Sequence, residues 1–63
     1  NNIMKREFQV LVFGEENDIL SSQSYDTEPN EEILDELLSE GIKLQCYEIE
    51  GDEYSKLLFT LEN

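Results

Sequence analysis

The chain has 63 residues and a formal net charge of −12, from 16 acidic and 4 basic side chains, with no histidine and one cysteine. A chain of this length forms one domain at most and buries only about 60% of its unfolded surface, so its stability is marginal. An intramolecular disulfide is excluded, and so is a structural zinc site, which needs about four nitrogen or sulfur ligands.

The first segment, Asn1-Asn2-Ile3, precedes Met4-Lys5-Arg6 and reads as an expression remnant, leaving a single acidic domain over residues 4–63. Residues 7–13 are rich in aromatic and β-branched side chains and predict a strand. Phe8, Val10 and Val12 share one face, and Leu11 and Phe13 make the other face apolar too, as in a central strand. Residues 15–18 fit a hairpin loop, and the polar run Ile-Leu-Ser-Ser-Gln-Ser-Tyr over residues 19–25 suits a sheet edge.

A helix is predicted over residues 29–40. Thr27 or Asn30 is the candidate cap, Pro29 fits the first turn, and Gly41 is placed as the left-handed residue that ends it. Ile33, Leu34, Leu37 and Leu38 form one buried stripe. Residues 42–50 and 54–62 predict two further strands joined by a turn at Gly51-Asp52. The apolar side of the third strand switches at Tyr47 and Ile49, which suggests a bulge or a strand buried on both faces. In the last strand Leu57, Phe59 and Leu61 are expected inward, and Tyr54 and Leu58 outward. The fold class is therefore α+β, ββαββ, with one antiparallel four-stranded sheet and a single helix packed on one face. That helix leaves the other face uncovered, and Leu11, Phe13, Tyr47, Tyr54 and Leu58 are expected to form an apolar interface there, most economically a homodimer.

Groups suited to catalysis are scarce. Histidine, the usual proton carrier and activator of nucleophiles, is missing. Cys46 lies in an apolar strand without a neighbouring cation and reads as a small core residue. Paired carboxylates hydrolyse glycosides only within a cleft, and this chain has no tryptophan and little mass to build one. Asp26, Glu28, Asn30 and Glu32 alternate like the start of a calcium loop. Glu31 and Leu37, however, stand where that loop needs glycine and glutamate, and Pro29 interrupts it. No catalytic residue, cofactor or metal is expected.

The carboxylates are the strongest candidates for function. Between Glu15 and Glu53 there are fourteen, against one cation, Lys43. Glu31 and Asp35, Glu32 and Glu36, and Glu36 and Glu40 stand four apart, where like charges cost a few tenths of a kcal/mol per pair in a helix. Repulsion of this density points to a basic partner. Glu31, Glu32, Asp35, Glu36 and Glu40 form one expected binding cluster, and Glu48, Glu50, Asp52 and Glu53 a second. Glu15, Glu16 and Asp18 form a third. Tyr25, Tyr47 and Tyr54 are candidate anchors beside them.

The profile of a very short acidic ββαββ chain without catalytic groups resembles the small inhibitors that phages and mobile elements direct against host enzymes. This likeness covers composition and element order and assigns no residue. It implies a non-enzymatic DNA mimic that blocks a basic site on a host nucleic-acid-binding protein. The alternative is a small regulatory or structural subunit, such as an antitoxin or assembly factor, binding through its apolar sheet face. The β-grasp fold shares the element order, but the chain ends Leu61-Glu62-Asn63 without a carrier's diglycine tail. Direct contact with nucleic acid or an anionic membrane is disfavoured by charge. With no membrane-length apolar run, no signal-peptide pattern and a lone cysteine, the expected compartment is the cytoplasm, the host's if the protein is viral.

Overall fold

The computed structural model describes residues 6–51 and 54–63, with only the backbone of Tyr54. Its elements are β1 (Arg6–Phe13), β2 (Ile19–Tyr25), α1 (Glu31–Leu38), β3 (Lys43–Glu50) and β4 (Tyr54–Glu62). The strands form one open antiparallel sheet in the order β2-β1-β3-β4, with the single helix on one face. This is the α+β arrangement that the sequence predicts. Residues 1–3, read as an expression remnant, lie outside the described residues, as does Asp52 of the predicted second turn.

The two central strands are those with apolar side chains on both faces. On the helix side Val10 stands opposite Cys46 and Val12 opposite Leu44, and all four are fully buried. Leu34 closes this core from above, with Leu37, Leu38, Tyr25, Phe59 and Leu61 packed around it. Full burial of each aliphatic side chain is worth about 1.5–3 kcal/mol, so this small cluster supplies much of the drive to fold.

Helix α1 is shorter than predicted because its ends are fixed by specific hydrogen bonds. Asn30, in extended conformation, is the cap, its Oδ1 accepting from the backbone N–H of Ile33 at 2.9 Å. At the far end Glu40 N–H donates to Leu37 O and Gly41 N–H to Leu38 O, at 3.0 and 3.1 Å. These tight i→i+3 bonds finish the helix without a left-handed residue. The role assigned to Gly41 is therefore corrected: among the described residues only Gly51 is a glycine with positive φ, at 62°. Gly41 is needed for space instead. A Cβ there would lie 2.5 Å from Phe13 O and 2.8 Å from Val12 Cγ1.

The β1–β2 hairpin turns through Glu15, Glu16 and Asn17. Asn17 N–H donates to Gly14 O at 3.0 Å, and Asn17 takes the left-handed conformation with φ 63°. This is a three-residue loop whose last position tolerates asparagine.

In β4 the expected facing needs correction. Cys46 pairs with Phe59 but Tyr47 pairs with Leu57, so Leu58 is an extra residue at a bulge. The bulge suggested by the apolar switch in β3 thus lies across the ladder, while β3 itself pairs with β1 without interruption. Leu58 packs against the core, and Leu57 takes the open face, 45% exposed.

Candidate partner-binding surface

The inward stripe of α1 determines where its charges go. With Leu34, Leu37 and Leu38 against the sheet, a turn of 3.6 residues directs Glu32, Asp35 and Glu36 away from it. Glu31, Glu32, Asp35, Glu36 and Glu40 are all exposed. Glu31 and Glu32 sit favourably at the positive end of the helix, whereas no basic residue occupies the last turn. The four carboxylates of the eight-residue helix amount to about one charge per 3 Å of helix axis, close to the one per 3.4 Å along a DNA strand.

The cations with described side chains lie on the sheet. Arg6 Nε pairs with Glu48 Oε2 at 2.7 Å, the one ion pair among the described residues. Lys56 stands in register with Glu48, and Arg6 with Glu50. Lys43 Nζ donates to Asn17 Oδ1 at 2.9 Å and lies 4.7 Å from the centroid of the Phe13 ring.

The second predicted cluster therefore divides. Glu48 is part-buried and neutralised by Arg6, so it is not a free anion on the binding surface. Glu50 is half-buried beside Arg6 in the register, and Asp52 and Glu53 lie outside the described residues. The third cluster lies at the opposite end of the sheet, because β1 and β3 run antiparallel and pair Phe13 with Lys43 but Arg6 with Glu50. Eight residues of strand separate these ends by about 26 Å. Since Gly41 packs on Phe13 O, the helix finishes at the Glu15, Glu16 and Asp18 end and brings Glu40 to it. The helix and first-hairpin clusters thus share one end of the molecule, and the second cluster does not join them.

The predicted anchors separate as well. Tyr25 packs against the core. Tyr47 lies in the row of Gln9 and Leu57 on the open face, its hydroxyl donating to Gln45 Oε1 at 2.9 Å. The side chain of Tyr54 lies outside the described residues. Leu11 and Phe13 are half-buried on the open face as predicted, and Leu57 stands there in place of Leu58.

Asn63 is a structural contact that sequence patterns do not reveal. Its Nδ2 donates to Gly41 O at 2.8 Å and to Leu38 O at 3.2 Å, and its N–H donates to Ile42 O at 3.1 Å. It holds the acidic end of the helix to β4. Its partners lie more than twenty residues away, so no local spacing signals the contact.

Cys46 is fully buried, and its thiol is pushed above the ordinary 9.0, first by burial and then by the negative charge of Glu28. Among the described residues no three acidic or cysteine side chains gather as a metal site. Asn30, part of the calcium-like spacing, is committed to capping the helix. Nor is any helix among the described residues long and apolar enough to cross a membrane.

The chain matches no family model, no curated protein and no solved structure.

Proposed function

We propose that this protein is a non-enzymatic inhibitor whose acidic helix face occupies a basic, nucleic-acid-binding groove on another protein. The observation that supports it is the exposure of Glu31, Glu32, Asp35, Glu36 and Glu40 over the solvent side of the helix and the turn after it, with no ion pair to them among the described residues. Grooves that bind nucleic acid carry rows of Lys and Arg matched to phosphates. A fixed row of carboxylates at similar linear density competes for the same cations, and the net charge of −12 steers the encounter. Glu15, Glu16 and Asp18 extend the row beyond Glu40. The composition fits the kind of inhibitor that phages and mobile elements make against host enzymes.

The test is capture of partners from bacterial lysate at about 50 mM and about 200 mM salt, a range over which phosphate-type contacts weaken steeply. The wild type should capture a nucleic-acid-binding protein at low salt, lose it at high salt, and be displaced by added DNA. The E32K/D35K/E36K variant should capture none of it. A partner retained at high salt and indifferent to DNA contradicts the proposal.

A further inference from the structure

The face of the sheet opposite the helix differs in charge from the rest of the molecule. Its two middle rows, read across β2, β1, β3 and β4, are Ser22, Leu11, Gln45, Thr60 and Ser24, Gln9, Tyr47, Leu57. Neither row contains a charged residue, in a chain where about one residue in three is charged. The charges of this face stand at its two ends. Lys43 and Glu62 are neighbours at one end, and Glu7, opposite Ile49, stands at the other. Leu11, Phe13, Tyr47 and Ile49 are only half-buried, and Ile19 and Leu57 are 59% and 45% exposed.

We propose that this open face is where two copies of the chain pair, sheet against sheet, about a twofold axis lying across the strands. Three observations select a second copy as the occupant. A basic partner is drawn to the carboxylates on the helix side, not to rows without charge. The ends of the face are self-complementary: the twofold axis sets Lys43 of each copy over the Glu7 and Ile49 end of the other, so each cation meets a carboxylate. The footprint is also sufficient. Four strands of about eight residues present about 500 Å² per copy, or about 1,000 Å² in the pair, the lower bound for a specific interface. Pairing also supplies the staple that a domain of this size otherwise lacks. It leaves both acidic helices on the outside, with the helix carboxylates of the two copies on opposite sides of the pair. The pairing is separate from the inhibitory function above and depends on different residues.

Sedimentation equilibrium of the full chain, up to about 1 mM and at two salt concentrations, tests this. The dimer should tighten with salt, because screening removes the repulsion between two anions, whereas capture by the helix face weakens. The neutral double variant L11Q/L57Q lies off the helix-side core and should remain folded by circular dichroism. It should weaken pairing by about tenfold or more, from the apolar burial lost. K43E should also weaken it, and adding E7K should restore it. The helix variant E32K/D35K/E36K should still dimerise. A monomer at every concentration, or a dimer unchanged in L11Q/L57Q, overturns the proposal.

Discussion

At the scale of single residues, stability depends on close contacts that leave little room for change. Gly41 shows this for packing. Alanine there places a Cβ 2.5 Å from a backbone oxygen that cannot swing aside, and G41A should lower stability by about 1–3 kcal/mol in denaturant titration. Ser21 predicts the opposite sign, because its Oγ is buried without a hydrogen-bond partner. Removing that hydroxyl in S21A relieves an unmet desolvation cost, so stability should hold or rise by about 1 kcal/mol. Cys46 sets a pH dependence. Its pKa is raised in the folded state, so its contribution to stability is intact below the unfolded thiol value. That contribution is lost as pH rises from there through the higher folded value. Thiol-reagent kinetics should show Cys46 inert in the folded protein and reactive once denaturant unfolds it. The burial of Cys46 was legible from its place in an apolar strand. The part played by Gly41 was not, since a glycine after a helix signals a left-handed cap unless a neighbouring strand is known to press against it.

At the scale of elements, alternation and turn chemistry suffice for much of the fold. The apolar faces of β1 and the polar run of β2 place them correctly at the centre and edge of the sheet, and Leu34, Leu37 and Leu38 of the expected α1 stripe mark the face it buries, whereas Ile33 stands beside the core cluster and not in it. The facing of β4 was not legible. In Leu57-Leu58-Phe59 three apolar residues stand in a row, and only the register against β3 shows that Leu58 is the extra one. The reach of Arg6 to Glu48 was equally hidden, because it depends on which strands pair. The acidic helix row was legible because it depends only on helical spacing. Relief of its repulsion gives a prediction of its own: E36K should stabilise the fold by a few tenths of a kcal/mol, since Glu36 stands four residues from both Glu32 and Glu40. A lower melting temperature in E36K would mean that Glu36 has a structural partner.

At the scale of the whole molecule, charge is segregated by face. Among the described residues, carboxylates without ion pairs line the helix and the first hairpin, the cations and their partners lie on the sheet, and the middle of the open face carries no charge. Self-repulsion at −12 weakens the compact state, so the melting temperature should rise with sodium chloride as the charges are screened. The proposed binding role keeps the helix carboxylates at a cost to the fold. The most direct measurement is thermal unfolding and partner capture of E32K/D35K/E36K, side by side with the wild type. The expected result is a melting temperature at or above the wild-type value together with loss of the DNA-competed partner. Undiminished capture by the folded variant would contradict the proposed role of the helix carboxylates.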